Sequence, residues 1–151
     1  MTAGIPRKAP PMAQRLISLL LAALAFAACD AVWLSLAYQP LYHAELGLVI
    51  AAKPDPLAAL LFYSVYIFGL CYFAIWPSLQ NFSLRTAASQ GAVFGLVAYG
   101  TYDLTNQATL AFWSWKVTGV DMIWGAVASA TASTVTLFLM RMRFAAKGHS
   151  E

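Results

Sequence analysis

The sequence predicts an all-α, polytopic membrane protein: a four-transmembrane-helix bundle with both termini in the cytoplasm (N-in/C-in). Three observations predict it. Of 151 residues, 61% are hydrophobic and only 10% are charged, against roughly 25% charged in an ordinary soluble domain. Four apolar runs occur at about residues 16–38, 57–76, 86–108 and 120–140, each near the ~20 residues that cross a hydrocarbon core. They are apolar around most of the circumference, which marks spans rather than surface helices. The basic residues are also unevenly placed. Arg7, Lys8, Arg15, Arg85, Arg141, Arg143 and Lys147 fall on one side of such a bundle, and only Lys53 and Lys116 on the other. The positive-inside rule then places both termini and the Arg85 loop in the cytoplasm.

The first span decides between two readings of "LAFAACDAVWLSLAY", residues 24–38. Phe-Ala-Ala-Cys is close to a lipoprotein cleavage site, which would make Cys29 a lipidated N-terminus. Phe26 stands where such sites usually carry Leu. The chain also stays apolar after Cys29, extending the run to span length. An intact first helix is therefore expected, with Asp30 inside the membrane. A carboxylate at the centre of a span costs about 2.5–3.5 kcal/mol on insertion scales, so it should face the bundle interior and have partners. Cys29 and Cys71 fall at different depths on this topology, too far apart to pair, and two free thiols are expected.

The rest of the chain divides simply. Residues 1–15 form a Pro-rich basic tail, 16–142 the membrane domain, and 143–151 a second cytoplasmic tail. Residues 39–56 read as a long outer loop in which "LYHAELGLVIA" lies along the interface as a short amphipathic helix. "KPDP" starts the second helix with Pro56 at a tolerated N-terminal position. "WPSLQNFS" is a tight inner turn. "TLAFWSWKVTG" is an outer turn whose Trp113 and Trp115 suit the headgroup belt. Gly91 and Gly95 on the third helix, and Gly125, Ser129 and Ser133 on the fourth, are spaced four apart and mark close helix packing.

The polar residues converge on one leaflet. Asp30, Asp103 and Asp121 all fall in the outer part of the bilayer. Helical spacing puts Tyr99, Asn106 and Gln107 on the face of Asp103, Trp33 on that of Asp30, and Trp124 on that of Asp121. "DAVW" recurs as "DMIW" on antiparallel helices. The indole of Trp124 is therefore expected to donate to Asp30 and that of Trp33 to Asp121. One reading makes these carboxylates structural locks, with Asp121 an interfacial N-cap. The other makes them a polar pocket open to the outer leaflet, formed by Asp30, Trp33, Tyr99, Tyr102, Asp103, Asn106, Asp121 and Trp124. Asp103 is then the best candidate for proton transfer or ligand orientation.

Several function classes are excluded or left without support. The net charge of +3 is accounted for by topology, so no nucleic-acid partner is expected. Asp with His43 and Glu45 lacks the tight His spacing of a metal site. No phosphate loop, CxxC, His-rich helix or Ser-His-Asp arrangement occurs, and no cofactor is expected.

Four motifs carry a resemblance: "DAVWL" with the following "YHAELG", then "YGTYDLTNQATL", then "DMIWG". On them, the chain resembles a bacterial family of small predicted inner-membrane proteins of unknown function, from Leu16 to about Met142. The resemblance implies a four-helix membrane fold in the bacterial inner membrane and carries no catalytic role with it. It implies that Asp30, Trp33, Tyr102, Asp103, Thr105, Asn106, Asp121 and Trp124 occupy the family's motif positions. Three functions stay open. One is binding or modification of a lipid or small amphipathic ligand. The second is a structural or accessory subunit, as a homo-oligomer or within a membrane complex. The third is a small cation or proton transporter, which the nearly bare inner half of the bundle disfavours.

Overall fold

The computed structural model describes residues 10–145, so Arg7, Lys8 and Lys147 of the expected tails lie outside the described residues. Four long helices account for most of the described chain: α1 Met12–Leu46, α2 Pro56–Leu79, α3 Leu84–Thr109 and α4 Trp115–Ala145. Helices α1, α2 and α4 are long and apolar enough to cross a membrane. Helix α3 is long enough but too polar by the same measure. It carries Arg85, Ser89, Gln90, Thr101, Asp103, Thr105, Asn106 and Gln107 along its length, so of the four expected apolar runs the third is the most polar.

Two helices are irregular, and each irregularity has a proline beside it. In α1 the segment Tyr38–His43 is a π-helix that contains Pro40. In α2 the segment Cys71–Ile75 is a π-helix directly before Trp76–Leu79, whose second residue is Pro77. Proline has no N–H to donate and its ring crowds the carbonyl four residues back. A wider turn lets the helix continue past it. The expected outer loop is therefore corrected. Residues 39–46 are not a separate interfacial helix but the continuation of α1, and only residues 47–55 connect α1 to α2.

The ends are set by local chemistry. Asp55 caps α2, its carboxylate accepting from the N–H groups of Leu57 at 2.8 Å and Ala58 at 3.2 Å, with Pro56 following, as the "KPDP" signal requires. The inner turn is tighter than expected, because "WPSL" stays helical and only residues 80–83 turn. Phe82 there adopts a positive φ of 47°, a strained conformation for a bulky residue. Ser83 then caps α3 by accepting from Thr86 N–H at 3.2 Å.

Helices α3 and α4 form the most extensive pair, and α1 packs on α4. A Cβ on Gly91 would approach the carbonyl of Ser129 to 2.7 Å, and one on Gly95 would collide with the carbonyl of Gly125. The small-residue stripe thus lets the two backbones touch, as expected for membrane helices. The half of α2 towards the α2–α3 turn, called inner after the expected topology and the opposite end outer, packs on the other three helices through Cys71–Ile75. Phe26, Leu70, Ile75, Leu137 and Met140 fill the core there. The backbone of the outer half of α2, Pro56–Leu70, stands off from that of α3, the two meeting through Tyr66 against Phe94 and Tyr99, which leaves a cleft between them.

Large apolar side chains also cover the outside. Leu16, Leu20 and Leu24, four apart on α1, are all exposed, as are Val93 and Val97 on α3 and Val65, Phe68 and Tyr72 on α2. In water such a surface would be an association hazard. In a bilayer it faces its proper solvent.

Candidate functional site at the outer end of the bundle

The outer end is built around an aromatic pair. Trp33 of α1 and Trp124 of α4 stack with ring centroids 4.5 Å apart and planes 9° apart. The two helices run in opposite directions. Asp30 therefore lies one turn to the inner side of the stack and Asp121 one turn to the outer side, a separation of about 9 Å along the axis. The carboxylates are deployed along the bundle rather than gathered at a point.

The expected cross-pairing of indoles with carboxylates is corrected here. Trp33 Nε1 donates at 2.8 Å to the Tyr42 hydroxyl, which in turn donates at 2.5 Å to Asp121 Oδ1. Trp33 therefore reaches Asp121 through Tyr42. Asp30 accepts from the Tyr63 hydroxyl of α2, not from Trp124. Trp124 Nε1 is buried and has no hydrogen-bond partner among the described residues. The indoles face each other, so their edges point away from the positions that antiparallel symmetry would suggest. Nor is Asp121 an N-cap. Helix α4 starts six residues earlier, at Trp115, and Asp121 lies within it.

Tyr42 reaches the site only because α1 continues through its π turn. The continuation buries Leu41 and Leu46 against Val117 at the start of α4. Beyond it, Glu45 accepts from Ser114 Oγ at 2.8 Å and from Lys116 Nζ at 3.1 Å. These bonds tie the end of α1 to the α3–α4 connection.

Asp103 stands apart from the other two acids. It is 0% exposed, and neither carboxylate oxygen has a hydrogen-bond partner among the described residues. The register that sets Gly95 against Gly125 and Gly100 against Met122 carries Asp103 to the level of Thr118 and Asp121. Thr118 is engaged with Trp113, whose Nε1 donates to its hydroxyl at 3.1 Å. Buried carboxylate oxygens are normally satisfied, so Asp103 is an orphan beside a second acid.

A cavity of about 600 Å³ opens between the outer halves of α2 and α3. Phe62 and Tyr66 of α2, Ala98, Tyr99, Thr101 and Tyr102 of α3, and Asp121 of α4 line it. Tyr66 and Tyr99 meet edge to face, with centroids 6.0 Å apart and planes at 85°. The Tyr66 hydroxyl is bonded to Ser129 Oγ at 2.6 Å. Phe62 and Tyr102, 47% and 59% exposed, form the rim.

The match to known proteins agrees with this architecture. The family described as "Predicted membrane protein (DUF2177)" matches residues 15–138. The chain belongs to that family. No curated protein and no solved structure matches it. As a DUF2177 member it is a membrane protein with several apolar helices, in a family described without an activity.

Of the sequence-expected site residues, the structure brings Tyr99, Tyr102 and Asp121 to the cavity wall. Asp103 lies buried at the same level, and Trp33 and Trp124 form the stack behind. Asp30 sits deeper, engaged with Tyr63. Asn106 is half-buried and lines none of the cavity, and Thr105 is exposed. Sequence reasoning missed Tyr42, Tyr63, Tyr66 and Phe62. Tyr63 and Tyr66 are three apart on α2, which would have marked a common face. Tyr42 was hidden by Pro40, which reads as a helix stop.

Proposed function

We propose that this membrane protein crosses the bilayer four times with both termini in the cytoplasm. We further propose that the cavity between α2 and α3 binds and orients a lipid or small amphipathic ligand in the outer leaflet, in the bacterial inner membrane. Four crossings are supported by charge. Both tails are basic, the positive-inside rule keeps basic segments on one side, and two ends on one side require an even number of spans. Helix α3 is then the polar span, and its Asp103 is sheltered by the bundle.

The observation that carries the ligand reading is the fully buried, unpartnered Asp103 at the level of the cavity's own Asp121. An unpaired acid in that setting lowers stability, and a pair of unsatisfied acceptors at the level of a cavity, though behind its wall, is what a donor-bearing ligand would complete. Asp103 and Asp121 would hold the polar end, and Tyr99 and Tyr102 would set its orientation. Native mass spectrometry of the detergent-purified chain, wild type beside Asp103→Asn, tests it. A specific co-purifying mass that the variant loses is the expected result. Bare protein in both samples, with the variant merely altered in stability, would overturn it.

A second reading has its own support. The bonds Tyr63–Asp30 and Trp33–Tyr42–Asp121 are what a purely structural lock would need, as in an accessory subunit. The same spectra separate the two, since a lock leaves no ligand to lose.

A further inference from the structure

The cavity wall has a composition that selects for charge. Four aromatic rings, those of Phe62, Tyr66, Tyr99 and Tyr102, surround it together with one carboxylate, Asp121. Aromatic faces carry negative potential and attract cations, and cages of this kind are the usual means of recognising quaternary ammonium groups. Among the described residues, no Lys or Arg lines the cavity. Of the two lysines at this end of the described bundle, Lys116 is engaged by Glu45 at 3.1 Å and Lys53 is exposed on the α1–α2 connection; neither lines the cavity. The orphaned Asp103 adds a second acid at the same level. An anionic headgroup would meet the Asp121 carboxylate and, among the described lining residues, no counter-charge.

The cavity also has a tail. A groove of about 610 Å³ along the α2–α3 seam shares Phe62, Tyr66 and Ala98 with it. A further hollow of about 500 Å³ shares Phe73 and Phe94 with that groove and ends at Ser89 and Gln90. From Tyr102 to Ser89 is 13 positions along α3, roughly 20 Å at a helical rise. The walls of this stretch are aromatic and aliphatic, exposed on the side away from the bundle. It suits one hydrocarbon chain lying parallel to the helices.

We infer that the site takes a single-chain amphiphile with an alkylammonium headgroup, drawn from the bilayer, its nitrogen among the four rings and Asp121 and its chain in the α2–α3 groove. The inference rests on the ligand-pocket reading above and adds the headgroup class and the seat of the chain. The juxtaposition of the cage with a groove that shares three of its residues is what commits the occupant. A second copy of this chain would bring an apolar helix face to the groove and leave the cage unfilled.

The test uses the full chain in a non-ionic detergent, titrated with hexadecyltrimethylammonium and, separately, with hexadecyl sulfate, and followed by native mass spectrometry. The ammonium probe is expected to bind at least about tenfold tighter than the sulfate. Asp121→Asn should weaken it about tenfold. Because Asp121 is also bonded to Tyr42, the exposed rim variants Tyr102→Leu and Phe62→Leu provide a second measure. Each should weaken the ammonium probe about three- to tenfold while leaving the sulfate unchanged. Ala98→Trp, at the join of cage and groove, and Val65→Trp, on the exposed groove wall, should each weaken the long-chain probe.

Equal binding of the two probes would overturn the headgroup assignment while leaving an amphiphile pocket standing. Ammonium binding indifferent to all three cage variants would overturn it too. Binding unaffected by both tryptophan plugs would overturn the seat of the chain. A dimer that the plugs dissociate would assign the groove to a second copy instead. Failure of both probes, with a native adduct still lost in Asp103→Asn, would overturn this inference alone. Failure of both probes with no adduct would remove the pocket reading with it.

Discussion

Tyr42 and Asp121, 79 positions apart in sequence, are joined by a 2.5 Å hydrogen bond in which the phenol donates to the carboxylate. The same phenol accepts from Trp33 at 2.8 Å, so one side chain links the far end of α1 to the outer part of α4. The bond exists because Pro40 widens the helix without ending it, and so lets α1 carry Tyr42 past the outer end of the Trp33–Trp124 stack.

Tyr42→Phe should therefore destabilise the bundle more than any other tyrosine change at its outer end. It removes two bonds at once and leaves a buried carboxylate and an indole N–H unpaired, a loss of about 1–3 kcal/mol. Thermal unfolding in detergent checks this, with the exposed Tyr72→Phe as the comparison. Equal midpoints for the two variants would show that the link contributes nothing.

Asp103→Asn should act in the opposite direction. No group among the described residues bonds to its oxygens, so the amide removes an uncompensated buried acid and takes no bond away. The expected outcome is unchanged or higher thermal stability together with loss of bound ligand, the trade-off of a site kept for function. A clear drop in unfolding temperature would place Asp103 among the structural locks.

The glycines of α3 and α4 should differ sharply. Gly95→Ala puts a Cβ into the Gly125 carbonyl and forces the two helices apart, at about 1–3 kcal/mol. Gly119→Ala meets nothing among the described residues within 4 Å and gains helix propensity, so it should be neutral or stabilising by up to about 1 kcal/mol. Chemical or thermal unfolding of both variants in one detergent gives the comparison directly.

Thiol labelling should separate the two cysteines. Both are free, Cys71 is 0% exposed and Cys29 is partly exposed. A small apolar maleimide should modify Cys29 in the folded protein and Cys71 only after unfolding. Failure of Cys29 to react on an intact-mass measurement, with an added lipid mass in its place, would restore the lipoprotein reading of "FAAC".

The ion pair at the outer end should be weak. Glu45 and Lys116 lie at the surface, where such pairs contribute about 0–1 kcal/mol. Glu45→Gln is expected to shift the unfolding midpoint little, and high salt likewise. A large loss would mean that the Ser114–Glu45–Lys116 contact governs how α1 docks on α4.

The sequence by itself determined the all-helical membrane class, the presence of four long helices, the start of α2 at "KPDP", and the small-residue faces of α3 and α4. Each of these is a local property: hydropathy over one turn after another, a cap within three residues, a spacing of four. It also singled out Asp103 and Asp121, because a carboxylate in an apolar run is conspicuous wherever it points. Only the tertiary structure decided which donor serves which acid. Trp33 and Trp124 were legible as neighbours, yet their rings stack instead of cross-bonding, and the donors are Tyr42 and Tyr63. Tyrosines are common in apolar helices, and the rotation of α2 about its axis depends on packing against three other helices at once. A pocket was expected among the acids, but its place between α2 and α3, with Phe62 and Tyr66 in its wall, was not, since that depends on how two helices sit against each other, which no single stretch of sequence encodes.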